Sequence, residues 1–137
     1  MQLLLARFAM NVQFQPTQSD RANTSKMLVR LFDHWSLTTA EQLGLLGLSQ
    51  SNRAALTNYR KGQPLANDRD KLERASILLS IHKSLRLLFP SNRELAYSWM
   101  KQPNRAFHGL SPVELIDRDG MVGLYMVRAY LDKTRGQ

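Results

Sequence analysis

Residues 38–49 read Thr38-Thr-Ala-Glu-Gln-Leu-Gly-Leu-Leu-Gly-Leu-Ser49. Thr38 and Glu41 form a capping box, since the hydroxyl can accept from a first-turn amide while the carboxylate reaches back to the cap. Leucines then supply an inward apolar face, and Gly47 permits the left-handed conformation that ends many helices. The stretch therefore predicts one short helix that stops at a tight turn.

A second helix is predicted directly after this turn. Ser49 is its N-cap, and about twelve residues run on to Gly62. The cationic last turn, Arg60-Lys61, suits the negative end of the helix dipole. Two short helices joined by a tight turn, the second rich in basic and amide side chains, predict a helix-turn-helix. The second helix of such a motif can enter the major groove of DNA.

The residues suited to DNA lie on that second helix. Gln50 and Asn52 stand at its start, where side chains reach base edges, and Arg53 can pair with guanine or with a phosphate. The other candidates suit phosphates: Thr57, Asn58, Arg60 and Lys61. A structural hairpin with a solvated basic face is the alternative, because helix-turn-helix patterns are weak when read alone.

The composition favours an anionic partner. The 137 residues carry a net charge of +8, with a sequence pI near 10.3, and no acidic residue lies between Glu41 and Asp68. A basic first half of this kind favours nucleic acid first and acidic protein surfaces second.

No catalytic or metal chemistry is predicted. The chain has no cysteine, and His34, His82 and His108 lie far apart in sequence. The paired carboxylates fall at predicted cap and turn positions, and no glycine-rich loop follows a strand. We therefore expect neither an enzyme nor a bound cofactor. No apolar run approaches the roughly 18 residues that span a bilayer, so the expected location is the cytoplasm.

The segments on either side of the helix-turn-helix are also predicted to be helical, except for the N-terminal residues 1–25. Residues 1–25 include a polar run without apolar periodicity and are predicted to be a mobile arm. A helix begins near Leu28, where apolar residues recur at helical spacing, and belongs to a helix-turn-helix domain at 26–66. Asp70 to Phe89 forms a long, largely apolar spine helix within residues 67–90, expected to pack between the two halves.

Residues 91–137 are predicted to form a small C-terminal helical domain. Since every predicted element of the chain is a helix, the predicted fold class is all-α. Ser91-Asn-Arg-Glu94 is a second capping box, and Ser111-Pro-Val-Glu114 combines an N-cap, Pro at the first helical position and Glu at the third. A last helix runs from Met121 to Lys133. The kinked connection from Trp99 to Pro112 predicts a docking surface, although its aromatics could equally belong to the core.

This connection resembles the motif that opens the toxin-binding domain of the Xre/MbcA/ParS antitoxins. The motif places a Trp before Pro-Asn, an aromatic or apolar residue, Gly, and Ser-Pro or Thr-Pro. These positions are Trp99, Pro103, Asn104, Phe107, Gly109, Ser111 and Pro112. Residues 40–51 look like the helix-turn-helix of Xre and phage repressors, although Gly47 and Gly62 lie about one helical turn further apart than in the generic pattern. The resemblance spans roughly residues 27–136.

The resemblance implies an antitoxin that blocks the active site of a RES-domain toxin acting on NAD. It also implies repression of the antitoxin's own operon, with operator DNA as the second partner. A homodimer is expected, because helix-turn-helix proteins commonly read paired half-sites. The implied toxin-binding residues are Trp99, Pro103, Asn104, Phe107, Arg128, Tyr130, Lys133 and Arg135. Two alternatives remain: a stand-alone regulator whose C-terminal half only dimerises, and an interaction adaptor that has lost DNA binding.

Overall fold

A computed structural model describes residues 15–136, and within this range all regular structure is helical. Two single-turn 3-10 helices cover Trp99–Lys101 and Arg105–Phe107. The α-helices are α1 (Gln18–His34), α2 (Thr39–Leu46), α3 (Arg53–Arg60), α4 (Arg69–Leu88), α5 (Arg93–Ser98), α6 (Pro112–Asp119) and α7 (Met121–Thr134). The predicted all-α fold is confirmed.

The prediction of a mobile arm over residues 1–25 is wrong from Gln18 onward, because α1 begins there. Thr17 and Asp20 form a capping box with two hydrogen bonds of 3.0 Å. Two polar residues that break the apolar periodicity of this helix, Thr24 and Ser25, are buried. Each hydroxyl donates to the backbone carbonyl four residues earlier. The first fourteen residues of the predicted arm lie outside the described residues.

The start of α1 is fastened to the segment that follows α3. The Leu65 amide donates to the Arg21 carbonyl at 3.1 Å, and the Arg21 guanidinium donates to the Leu65 carbonyl at 2.8 Å. Leu65 is itself fully buried. This long-range pairing, which apolar periodicity cannot show, explains why a polar segment is ordered.

Helix α2 follows its predicted signals. The Thr38 hydroxyl accepts from the Glu41 amide at 3.1 Å, and the Glu41 carboxylate accepts from the Thr38 amide at 2.8 Å. Gly47 ends the helix with φ 67°, in the left-handed region.

The helix predicted to start after Ser49 begins three residues later than expected, at Arg53, so that prediction is wrong at its N-terminal end. Ser49 to Asn52 instead form a turn, closed by a 2.9 Å hydrogen bond from the Asn52 amide to the Ser49 carbonyl. The Ser49 hydroxyl accepts from the Ser51 amide at 3.3 Å. Such local side-chain bonds compete with helix formation, and the turn accounts for the extra spacing between Gly47 and Gly62.

Helix α4 is the predicted spine. It packs most extensively against α7 and also contacts α1, α2 and α5. Its apolar face is almost wholly excluded from solvent, and each buried leucine or isoleucine contributes about 1.5–3 kcal/mol. The core positions are Ala75, Ile77, Leu78, Leu79, Ile81 and Leu85. The expectation that one helix joins the two halves is confirmed.

In the C-terminal half, one predicted cap is wrong and another is confirmed. Asn92, not Ser91, caps α5 by accepting from the Leu95 amide at 3.0 Å. Ser111 caps α6 as predicted, with Glu114 reaching back to its amide at 2.9 Å. Helix α7 follows Gly120 directly and packs closely along α6.

Candidate binding surfaces

The helix-turn-helix presents one side of α3 to solvent. Leu56 and Tyr59 point inward and are each 8% exposed. Arg53, Thr57 and Lys61 follow one another at four-residue spacing, which places them on one face. Every residue predicted to contact DNA is exposed: Gln50, Asn52, Arg53, Thr57, Asn58, Arg60 and Lys61.

Two of these side chains are held in place by other elements. Gln50 donates from Nε2 to the Ala40 carbonyl at 3.1 Å, which ties the turn to the start of α2. Arg60 makes a two-pronged ion pair with Asp33 of α1, at 2.8 and 3.0 Å. The guanidinium's hydrogen bonds hold the pKa of the Asp33 carboxyl below its usual range, against the opposing effect of partial burial. Part of the charge of Arg60 is therefore neutralised within the protein.

Other side chains on or next to α3 make no ion pair or hydrogen bond to another helix among residues 15–136. Arg53 and Lys61 form no ion pair with any residue between 15 and 136. The Thr57 hydroxyl bonds at 3.4 Å to the Arg53 carbonyl, within its own helix. Asn52 occupies the N-cap position of α3 without a capping hydrogen bond from its side chain. Arg53, Lys61 and Asn52 are thus the side chains best placed to meet a partner.

The C-terminal half carries a cluster of three aromatic rings. Tyr130 of α7 stacks on Trp99 with ring centres 6.1 Å apart, and Phe107 and Tyr130 meet in a T-shaped arrangement with ring centres 5.4 Å apart. Phe107 is only 4% exposed, whereas Trp99 and Tyr130 are partly buried. The two aromatics of the predicted docking segment therefore differ: Phe107 supports the cluster from inside, and Trp99 lies at its edge.

The loop between these aromatics is organised by Asn104. Its side chain accepts from the Ala106 amide at 2.9 Å, and its carbonyl accepts from the Phe107 and Gly109 amides at 3.0 Å each. Its own amide donates to the Leu110 carbonyl at 3.0 Å. These bonds make Asn104 the residue that holds the loop in shape, while Pro103 beside it is exposed.

The basic residues of the last helix occupy three different settings. Arg128 lies over the ring of Tyr125, 5.0 Å from its centre, which is a cation–π geometry. Lys133 is exposed. Arg135, one of the implied toxin-binding residues, is partly buried and donates to the Ser84 hydroxyl of α4 at 3.0 Å.

An exposed apolar stripe on α7 was missed by the sequence reasoning. Val122, Tyr125 and Met126 are 62%, 38% and 41% exposed. Their spacing of three and four residues was the available signal, because it marks a second apolar face beside the buried one. Tyr125 also donates a hydrogen bond to Glu73 of α4.

A further residue that sequence reasoning missed is Lys101, which joins the two halves. Its ammonium donates to the Ser36 carbonyl at 3.0 Å and lies 3.1 Å from the Glu41 carboxylate. Burial opposes it, but the Thr38 amide and Lys101 together hold the pKa of Glu41 below its usual range. No sequence signal links positions so far apart.

Other kinds of site were sought in the same range. Residues 15–136 contain no group of three or more His, Asp or Glu side chains placed to hold a metal ion. Within the same stretch no helix combines the length and apolar character needed to cross a bilayer.

Comparison with known proteins gives two matches along the chain and one relative. Residues 15–80 match the family described as Antitoxin Xre-like helix-turn-helix domain, and residues 84–136 match Antitoxin Xre/MbcA/ParS C-terminal toxin-binding domain. Neither description is that of an enzyme. The uncharacterized protein y4oB of Sinorhizobium fredii (strain NBRC 101917 / NGR234) is 38% identical over 108 residues, covering 78% of this chain and 80% of that protein. The two matched regions meet within α4, the helix that both halves share.

Proposed function

The chain belongs to the Xre/MbcA/ParS family of antitoxins, and we propose two activities for it. It neutralises a RES-domain toxin that consumes NAD, and it also binds operator DNA to repress its own operon. The observation that carries the proposal is the joining of two exposed surfaces through one buried helix. The outer side of α3 faces solvent in one half, and the Trp99 edge with the end of α7 faces solvent in the other. Both partners act in the compartment that holds the operon, the cytoplasm.

The DNA-binding part of the proposal is supported by the state of the α3 side chains. Arg53 and Lys61 are exposed and free of internal ion pairs among the described residues, so they can neutralise phosphates. Asn52 stands beside Arg53 at the helix start, from which side chains reach base edges. Gln50 and Arg60 are already ordered by Ala40 and Asp33, which reduces the conformational entropy lost on binding.

The toxin-binding part is supported by residues 91–137. Trp99 offers part of its ring at the surface while Tyr130 holds it in place, and partly buried aromatics of this kind often anchor interfaces. Arg128 and Lys133 supply cations on α7, the helix that also carries Tyr130. Cationic side chains suit a toxin pocket that binds the pyrophosphate of NAD, so the end of α7 is proposed to obstruct access of the dinucleotide.

We propose supporting roles for the other predicted contacts. Phe107 and Asn104 hold the loop in shape from inside, and Arg135 anchors the tail to Ser84. We propose that Pro103 and Tyr130 touch the toxin at the rim of the Trp99 surface. Two copies of the chain are proposed to bind paired operator half-sites within a larger complex with the toxin.

The toxin side is tested by co-expressing the chain with the product of the adjacent gene, purifying the complex and assaying NAD consumption. The wild-type chain is expected to co-purify and to suppress NAD loss. Trp99→Ala is expected to weaken the complex by about 2 kcal/mol or more. Arg118→Ala is the control, because Arg118 is exposed, pairs with its neighbour Asp119 and is not among the predicted toxin contacts. Full inhibition by a folded Trp99→Ala chain would contradict the assignment of the surface.

The DNA side is tested with the promoter fragment upstream of the gene. The double variant Arg53→Ala/Lys61→Ala is expected to bind more weakly, and the negative slope of log affinity against log salt is expected to become shallower by about 2. Arg118→Ala again serves as the control. If both variants keep the wild-type affinity and salt slope, α3 is not the DNA contact. The toxin assay is unaffected by that result, so the two halves of the proposal can fail separately.

A further inference from the structure

A groove runs between the C-terminal end of α4 and the start of α5. Its volume is about 440 Å³, within the range of small-molecule sites. Lys83, Arg86 and Arg93 line it, with Phe89 and Tyr97 as aromatic walls. No residue of α2 or α3 takes part, so the groove is built from other elements than the predicted DNA contacts.

The charge in this groove is one-sided. No carboxylate is among its lining residues. Between residues 15 and 136, none of Lys83, Arg86 and Arg93 forms an ion pair, although other basic residues such as Arg74 and Arg118 do. Three cations that face one opening without an internal counter-ion favour an anion there. Arginine forks in particular suit phosphate oxygens.

A smaller cavity of about 210 Å³ adjoins the groove and shares His82 and Tyr97 with it. Met27, Leu31 and Leu79 give part of it an apolar lining, beside Arg30 and His34. The partition between the two spaces is a stack of rings: Tyr97 lies parallel to His34 at 4.5 Å and to His82 at 6.3 Å. A cationic space therefore adjoins a partly apolar one that is walled by flat rings.

The state of His82 adds to this picture. Burial, together with the charges of Arg86 and His34, lowers the pKa of the His82 imidazole below its usual value of 6.5. The neutral ring can both donate and accept a hydrogen bond at the border of the two spaces.

We propose that this groove binds a nucleoside phosphate. The phosphate groups are held by Lys83, Arg86 and Arg93, and the base or ribose lies toward Tyr97 and the smaller cavity. The shape supports a molecule with an anionic end and a flat end, because a bare anion would use the cationic space alone. This site is separate from the proposed contacts with operator and toxin, and it does not depend on them.

The test is a fluorescence titration of the full-length chain with N-methylanthraniloyl-ADP, followed by competition with ADP, adenosine and inorganic pyrophosphate. Saturable binding is expected, with ADP displacing the probe at concentrations at least about tenfold lower than either adenosine or pyrophosphate. The double variant Arg86→Ala/Arg93→Ala is expected to bind at least about tenfold more weakly. Both side chains are exposed, and circular dichroism checks that the fold is retained.

The matched control is Arg105→Ala/Arg118→Ala, which removes the same charge from exposed positions outside the groove. The proposal is overturned if the probe does not saturate, or if the control loses as much affinity as the groove variant. It is also overturned if pyrophosphate competes as well as ADP, because the flat end then contributes nothing. A parallel titration with the promoter fragment tests whether the groove binds DNA instead. If the wild-type chain does not bind the nucleotide probe and the groove variant binds the promoter fragment more weakly, the groove is a DNA contact.

Discussion

Lys101 lies 3.1 Å from the carboxylate of Glu41, although one residue follows α5 and the other belongs to the first turn of α2. The same ammonium donates to the Ser36 carbonyl at 3.0 Å, where the backbone takes a left-handed φ of 55°. Glu41 is also half of the capping box of α2. One side chain of the C-terminal half therefore braces the start of the helix-turn-helix.

Lys101→Met is expected to lower the free energy of unfolding by about 1 kcal/mol or less, because the ion pair is partly exposed to water. The measurement is urea unfolding at low and high salt, with the smaller loss at high salt. A double-mutant cycle with Glu41→Gln separates the ion pair from the cap. A coupling energy of zero in that cycle would show that Lys101 acts only through Ser36.

Gly123→Ala is expected to lower the free energy of unfolding by about 1–3 kcal/mol, through overpacking between α6 and α7. A methyl group there would lie 2.8 Å from the Leu115 carbonyl oxygen and 2.9 Å from the Ile116 Cα, and backbone atoms cannot move aside easily. Urea unfolding measures the change. Ala129→Gly, at an exposed position of the same helix, reports the propensity effect alone. A more stable Gly123→Ala chain would refute the close approach.

Phe107→Ala and Trp99→Ala are expected to affect different properties. Phe107 is a core residue, so its truncation is expected to cost about 3–5 kcal/mol of stability. Trp99 lies at the edge of the cluster, so its truncation is expected to cost less stability and more toxin affinity. Thermal unfolding and pull-down of the toxin measure the two effects. Equal losses of stability in both variants would place Trp99 in the core instead.

The pH dependence of stability is expected to include a contribution from His82. Its pKa is lowered in the folded chain by burial and by Arg86 and His34, whereas the unfolded chain takes up the proton near pH 6.5. The unfolded state therefore binds more protons just below this pH, so the free energy of unfolding falls as pH drops below about 6.5.

His82→Gln is expected to reduce this fall between about pH 7 and pH 5. Arg86→Ala is expected to raise the pKa of His82, because it removes one of the charges that lower it. An NMR titration of the imidazole resonances measures the pKa in both the wild type and Arg86→Ala. A His82 pKa at or above 6.5 in the wild type would contradict the expected direction.

Two of the predictions from sequence that failed concern the starts of helices, where distant contacts order α1 and a local turn delays α3. The start of α1 lacks apolar periodicity, but the pairing of Arg21 with Leu65 and the buried hydroxyls of Thr24 and Ser25 order it. The start of α3 was placed too early, since the hydroxyl of Ser49 favours a turn over a helix. The predicted DNA-contact residues are all exposed, yet only the fold reveals that Asp33 neutralises Arg60.

The sequence by itself determined the helical class, the capping boxes of α2 and α6, the glycine stop at Gly47 and the family resemblance. These features depend on side chains within about four positions of one another, which is the reach of a helical turn. Only the tertiary structure decided that Phe107 lies inside while Trp99 lies at the edge, that Lys101 reaches Ser36, and that the unpaired cations of α4 and α5 face one groove. Those relationships arise when separate helices pack, and no local pattern specifies which side chains then meet.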